Sequence, residues 1–360
     1  MLITLLAAFL IGFSGLGIVG CGDESNATGS DTSTPGWVLQ LPRGAQYGAW
    51  SPDGEVFAFP AHDKIELIKT DGSTARTIDV PGIDNSGLSC ECRLAWSKDG
   101  AEIHIVTRPR PRARGGVATV DADGGKLRYR YLAVHISDAA WAPQGWPLVL
   151  VPGDTVHQAG QRPREYPLLR LSSLAADPDV LLERRGEIFG TAFSPDGNRI
   201  AFTADAGRGR GVWTISPHGG KPRLLLGGLR DPYVSWSPNG RELAVSAIRP
   251  KRDLGRHIFL VSAADGKARL LTNELIIIAE PPAWTPNGRW ITYVGADNRG
   301  ADSSVNKIRR DGTGRQRLFQ LPGEEIAGLS WSPDGRQLAH HQADHPQRLR
   351  GPAISHAGAA

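Results

Sequence analysis

The sequence predicts an all-β fold, a seven-bladed β-propeller of four-stranded antiparallel blades whose ring is closed by an N-terminal strand. One observation behind this is a cadence: an aromatic residue followed by a Ser-Pro-Asp-Gly type turn occurs seven times, starting at Trp50, Trp96, Trp141, Phe193, Trp236, Trp284 and Trp331. Its interval of roughly 40 to 50 residues is the length one propeller blade needs. The other is what fills each interval, short strand-like runs separated by Gly-containing turns, the pattern of an antiparallel meander.

The Phe193 copy shows the plan. Ser194-Pro195-Asp196-Gly197 reverses the chain, with Pro fixing φ and Gly accepting a positive one. Arg199 to Phe202 and Val212 to Ile215 read as the second and third strands, and the turn Pro217-His218-Gly219-Gly220 leads to a fourth at Arg223 to Leu226. The order returns after Trp236, with Leu243 to Val245, His257 to Val261 and Arg269 to Leu271. It returns again after Trp284, with Trp290 to Val294, Val305 to Ile308 and Arg317 to Phe319. The Trp50 and Trp96 copies fit through Asp71-Gly72 and Asp123-Gly124-Gly125. The Trp141 copy is degenerate, with Ala142-Pro143-Gln144-Gly145 as its turn and a long loop from Pro152 to Glu165. After Trp331 come Gln337 to Ala339 and then Pro352 to Ser355, without a fourth strand. Trp37 to Pro42 is expected to supply it, latching the ring and removing its exposed edges.

Residues 1–20 form an apolar run closed by small residues, the pattern of a secretory signal, although Met1 to Thr4 hold no Lys or Arg. The run ends in Gly17-Ile18-Val19-Gly20-Cys21, which resembles a bacterial lipobox and implies cleavage before Cys21 and lipidation of its thiol. A membrane-spanning helix is the alternative, since about 19 apolar residues just suffice to span. Residues 21–35 are small and polar and read as a flexible tether, leaving 36–360 for the propeller. Both readings place the bulk of the chain outside the cytoplasm, as a membrane-anchored monomer.

Charge is nearly balanced, with 41 Lys and Arg against 37 Asp and Glu, which gives nucleic acid little to hold. The 44 Gly and 26 Pro accompany a hydrophobic fraction of 40%, ordinary for a globular chain, so they read as turns and not as disorder.

Aromatic-Ser-Pro-Asp-Gly, a short apolar strand, a second strand ending in Asp-Gly or Gly-Gly, and then Arg-Leu-Leu or Arg-Leu-Phe together resemble the repeats of the TolB-like β-propeller family, over about Trp37 to Ile354. The resemblance implies the fold and leaves the activity open, since such propellers occur in periplasmic scaffold proteins, in the gating domain of prolyl oligopeptidases and in several lyases. Where family members carry an N-terminal α/β domain this sequence shows a short tether, and it has no Gly-x-Ser-x-Gly elbow of a peptidase.

In a propeller the first strand of each blade lines the channel. The Ser-Pro-Asp-Gly turns then share one face, and the loops joining strands two and three share the other with the loops entering strand one. That second face is expected to carry a basic rim of Arg108, Arg110, Arg112, Arg114, Arg208, Arg210, Arg249, Lys251, Arg252 and Arg256, suited to an anionic partner. The loops entering the channel strands are acidic, with Asp84, Asp138, Glu187, Asp231, Glu280, Glu324 and Glu325, so a cation or a partner's Lys or Arg is expected among them. Turn formation in solvated loops accounts equally well for any single one of these residues.

Cys90, His135 and Glu187 each stand six residues before their aromatic, and with Asp231 and Glu325 they make up the candidate channel mouth. Such ligands would suit zinc, but a pair of inert or bridged thiols at Cys90 and Cys92 explains the cysteines with fewer assumptions, and neither metal nor cofactor is expected.

These readings converge on a lipid-anchored binding or scaffold protein whose partner is an envelope protein or an anionic polymer. The alternative is a propeller lyase or hydrolase acting on an anionic polysaccharide, with His135 and an acidic neighbour near the chemistry. No catalytic residue is assigned. Because the turns repeat in every blade, they are expected to be corners of the fold, with recognition on the opposite face.

Overall fold

The computed structural model describes residues 37–42, 48–61, 63–81, 93–107, 116–132, 136–143, 145–152, 166–184, 186–207, 209–249, 255–272, 281–296, 302–322 and 326–342. Among them the regular structure is all β-strand, and no helix is long and apolar enough to cross a membrane. Each strand-forming aromatic opens a sheet. The Trp50 unit comprises Ala49–Trp50, Val56–Ala61, Lys64–Lys69 and Thr74–Asp79, paired in that order. The Trp96 unit follows with Arg93–Trp96, Glu102–Thr107, Gly116–Asp121 and Leu127–Tyr131, and the Trp141 unit with Ile136–Ala142, Gly145–Pro152, Tyr166–Leu171 and Asp179–Arg184.

The next two units share a strand. Ile188–Phe193, Ile200–Asp205 and Arg210–Ile215 lead into the 14-residue strand Arg223–Trp236, whose second half opens the Trp236 unit with Glu242–Ile248, Arg256–Ser262 and Ala268–Leu270. The Trp284 unit has Ala283–Trp284, Trp290–Ala296, Asp302–Arg309 and Gln316–Pro322. Successive sheets bury their faces against each other. Ile65, Leu67 and Ile78 of the Trp50 unit, for example, form one cluster with Leu94, Ile103 and Ile105 of the Trp96 unit. Each such side chain contributes roughly 1.5–3 kcal/mol by leaving water.

The repeated turn is a small hydrogen-bonded device. Ser51 Oγ donates to Asp53 Oδ1 at 2.5 Å and accepts from the Val56 amide at 3.1 Å, while the Gly54 amide donates to Ser51 O at 2.9 Å. Ser97, Ser194, Ser237, Thr285 and Ser332 make the same bonds to Asp99, Asp196, Asn239, Asn287 and Asp334. The hydroxyl bond, with a backbone amide behind it, lowers the Asp53, Asp196 and Asp334 carboxyls below their ordinary range. Gly54 sits at φ 76°, where a side chain is strained, and it lies against Pro333. Likewise Pro52 lies against Gly100, Pro195 against Gly240, Pro238 against Gly288 and Pro286 against Gly335.

The aromatics join neighbouring sheets. Trp96 Nε1 donates to Ala49 O at 3.0 Å, Trp236 Nε1 to Ala192 O at 3.1 Å, and Trp50 Nε1 to Ser330 O at 3.1 Å. In these three the acceptor is the residue before the preceding unit's aromatic, whereas Trp284 Nε1 has no partner among the described residues. Opposite that acceptor in register stands an alanine, Ala58, Ala201 or Ala339, small enough to admit the indole. Where that place holds Thr292, the hydroxyl relays: Trp331 Nε1 donates to Thr292 Oγ1, which donates to Ala283 O. Where it holds His104, the imidazole stacks on Trp141 at 4.9 Å, and Trp141 Nε1 is left without a partner. The first strands of the units touch in chain order, and the Trp331 unit touches the Trp50 unit in turn.

Arginines add a third set of ties. Arg76 donates to Ala122 O, Arg170 to Pro217 O, Arg223 to Ala264 O and Arg269 to Arg310 O, each reaching a hairpin of the following unit. The Arg of the Arg-Leu-Leu motif is therefore a structural strut.

The last unit departs from expectation. Its strands are Ile326–Trp331, Leu338–Gln342 and Val38–Gln40, and the N-terminal strand pairs directly with Leu338–Gln342 in parallel, Val38 opposite Leu338 and Gln40 opposite His340. A fourth strand of an antiparallel unit runs parallel to the second, so Val38–Gln40 has the direction of a fourth strand and the position of a third. Pro352 to Ser355, expected as a strand here, lie outside the described residues.

Candidate functional site at the ends of the first strands

On the face opposite the repeated turns, several first strands bulge a few residues before their aromatic. Register shifts fall between Ile136 and Asp138, Phe189 and Ala192, Arg230 and Tyr233, and Ala327 and Ser330. A bulge adds twist and re-aims side chains, which makes this end of the strands irregular where the turn end is repetitive.

Asp138 is turned inward by its bulge and is 2% exposed. Arg93 Nη2 of the preceding unit lies 2.7 Å from Asp138 Oδ1, and Thr191 of the following unit donates to Oδ2 from its amide at 2.6 Å and its hydroxyl at 2.8 Å. Arg93 Nη1 also donates to Ala139 O at 2.9 Å. One carboxylate thus fastens three successive first strands, and buried with its charge facing Arg93 it is not presented to the mouth.

In the next unit, Arg210 lies between two carboxylates, 3.2 Å from Glu187 Oε2 and 3.9 Å from Asp231 Oδ1, all three partly exposed. Asp231 adopts φ 47°, the left-handed region, and is the residue other than glycine with a positive φ among those described. Arg256 holds it there, donating from Nη1 to Asp231 O at 2.7 Å and to Ser246 O at 3.1 Å, with Tyr233 stacked 5.1 Å from the guanidinium. Arg256 is 6% exposed, and burial pushes its pKa below the usual arginine range. The result is a strained, exposed acidic corner supported from beneath by a buried cation.

No family model matches the chain. The Tol-Pal system protein TolB of Anaeromyxobacter dehalogenans is 30% identical over 176 residues, 48% of this chain and 37% of its own length. The structure of TolB from Acinetobacter baumannii superposes with a TM-score of 0.51 at 16% identity, covering 82% of this chain and 65% of that one. This chain is similar to TolB proteins, in sequence over about half of its length and in β-propeller fold over most of it. The chain spans little more than a third of the length of this curated TolB relative. The fold is also that of an oligogalacturonate lyase solved in complex with manganese, with a TM-score of 0.61 and 14% identity over 82% of this chain and 85% of that one.

The site residues read from the sequence fall differently on the structure. Glu187, Asp231 and Arg210 come together as described. Arg256 is corrected from rim to interior, because its guanidinium satisfies backbone carbonyls and not solvent. Arg249 lies over the Phe259 ring at 5.2 Å, so this arginine also has an internal contact. Asp138 is corrected from mouth acid to interstrand tie. Cys21, Cys90, His135, Glu325, Arg108, Arg110, Arg112, Arg114, Arg208, Lys251 and Arg252 lie outside the described residues. Among the described residues no three His, Cys, Asp or Glu side chains stand close enough to hold a metal ion.

Sequence reading missed Arg93 and Thr191. A signal existed, since Arg93 and Asp138 each stand three residues before the aromatic of adjacent repeats and carry opposite charges. The strain at Asp231 had none, because nothing in Arg230-Asp231-Pro232 announces a left-handed residue.

Proposed function

We propose that this TolB-like propeller is a lipid-anchored, extracytoplasmic binding or scaffold protein that takes an envelope protein on the face opposite its repeated turns. In this reading residues 1–20 are a signal peptide, Cys21 carries the lipid, 21–35 are the tether, and 36–360 form a monomeric ring of seven blades closed by Val38–Gln40. The circuit of Trp, Pro and Gly contacts from one unit to the next, ending with Trp50 on Ser330 and Gly54 on Pro333, supports the count.

The observation that carries the binding reading is Asp231. Backbone strain persists where surrounding structure enforces it, and it gathers at sites of recognition. Here it is enforced by a buried arginine at the irregular end of the propeller, beside Glu187 and Arg210. The partner is read as a protein ahead of an anionic polymer, because Arg210, Arg249 and Arg256 already have contacts within the fold. A partner's Lys or Arg complements the two carboxylates that share one arginine.

The test is photo-crosslinking in the native cell envelope from probes at Glu187 and Asp231, with Asp53 and Asp196 on the turn face as controls. A discrete protein adduct from the first pair and none from the second is expected. Adducts from the turn face alone, or manganese-dependent cleavage of a polyuronate by the purified protein, would overturn the reading.

A further inference from the structure

The turn face is not uniform. In the Trp284 unit, between residues 289 and 317, Arg289, Lys307, Arg309, Arg310, Arg315 and Arg317 stand against Asp302 and Asp311 among the described residues. The fold gathers the cations at one end. Trp290 pairs with Arg309, the Arg310 amide donates to Arg289 O at 2.9 Å, and Lys307 pairs with Gln316. Lys307 Nζ and the Arg309 guanidinium lie over the same Trp290 ring, at 4.5 and 5.0 Å. Arg289, Arg309, Arg310, Arg315 and Arg317 are all exposed, and Glu242 is the carboxylate that pairs with Arg310. In the Trp50 unit the corresponding turn and hairpin carry Asp53, Glu55 and Asp71 against Lys69 and Arg76, so that unit does not share the cationic excess of the Trp284 unit.

The N-terminal strand enters beside that sector. Leu338 directly follows the Ser332–Gln337 turn, and its amide donates to Trp37 O at 3.1 Å. The Trp37 ring stacks on Trp331 with centroids 6.0 Å apart and planes 5° from parallel. Because Val38–Gln40 runs parallel to Leu338–Gln342, it starts at the turn face and runs away from it. Val38 packs on Val294, Val305 and Phe319 of the same Trp284 unit. Trp37 therefore marks the entry of the chain on the turn face, next to the cationic hairpin.

Fifteen residues separate Cys21 from Trp37. A flexible segment of that length has a root-mean-square span of about 20 Å. An anchor at Cys21 thus holds this face close to the bilayer at a high effective concentration of lipid.

We propose that the turn face is a membrane-docking surface, in which the Arg289, Arg309, Arg315 and Arg317 sector rests on anionic phospholipid headgroups. The opposite face, with Asp231, then points away from the bilayer towards its partner. Proximity to lipid rests on the anchor reading above; the charged sector and the entry of the chain do not. Exposed arginines near an anionic surface act over about a Debye length, so docking weakens as salt rises.

The experiment uses the full chain in vesicles of phosphatidylcholine with or without phosphatidylglycerol, with a fluorescent amino acid at Gln316 or at Glu187 and a headgroup quencher in the lipid. Quenching at Gln316 is expected to be several-fold stronger with phosphatidylglycerol, to fall at high salt, and to be absent at Glu187. The double variant Arg309→Glu/Arg317→Glu removes it at unchanged circular dichroism, and Arg309→Gln/Arg317→Gln serves the same purpose if charge reversal unfolds the chain. Equal quenching in both lipids, or quenching at Glu187, overturns the proposal. Protection of Gln316 by a protein crosslink in cells overturns it in favour of an acidic protein. Intact mass separates the two readings: a chain without acyl groups at Cys21 that still shows phosphatidylglycerol-dependent quenching supports the sector and sinks the anchor.

Discussion

Trp50 Nε1 donates a hydrogen bond to the carbonyl oxygen of Ser330, 3.1 Å away and 280 residues along the chain. The same bond joins Trp96 to Ala49 and Trp236 to Ala192, neighbours in the repeat, so one local rule spans both short and long separations. Trp50→Phe keeps the ring and removes the donor. We expect a loss of about 1 kcal/mol, the usual net worth of such a bond, read by urea denaturation. An unchanged midpoint would show that the indole contributes only its apolar area.

His340 is fully buried beside Phe319, and neither ring nitrogen has a hydrogen-bond partner. Burial pushes its pKa down to about 4 from an ordinary 6.5, with the His341 backbone acting in the opposite direction and the His341 charge in the same one. Above the unfolded value neither state binds the proton. Between 6.5 and about 4 the unfolded chain binds it and the folded chain does not, so stability falls as pH falls through that window. The whole window is worth about 3 kcal/mol. Denaturation midpoints at neutral and acid pH should show this slope, and His340→Leu should flatten most of it, leaving a remainder from His104, whose pKa burial also lowers.

Asp138→Asn removes the negative charge that faces Arg93 while keeping an acceptor for Thr191. Breaking a buried pair leaves a stranded charge, but Arg93 still reaches solvent, so about 2 kcal/mol is expected. The double variant Arg93→Ala/Asp138→Asn should cost less than the sum of the two single changes. Additive costs in that cycle would mean that the pair is not coupled.

Asp231→Gly relieves the left-handed backbone at φ 47° and gives up a distant ion pair to Arg210. A gain of about 0.5–1 kcal/mol in stability is expected, together with loss of the crosslinked adduct from the probe at Glu187. A variant that is more stable and still forms the adduct would separate the strain from recognition.

The repeat, the turn chemistry and the all-β class are legible in the order of residues alone. Ser51, Asp53 and Gly54 act within a few residues of one another, so their spacing is visible in the chain. Where charge resides depends on contacts made in the folded chain. Arg223, Arg256 and Arg269 look alike in the sequence as loop or motif arginines, yet backbone carbonyls distant in the chain engage each of them. The direction of Val38–Gln40 was likewise invisible, because strand propensity carries no sign and parallel pairing with Leu338–Gln342 is set by a partner 300 residues away. Local hydrogen bonds leave a spacing that can be read, whereas charge partners and strand directions depend on which surfaces the closed fold brings together.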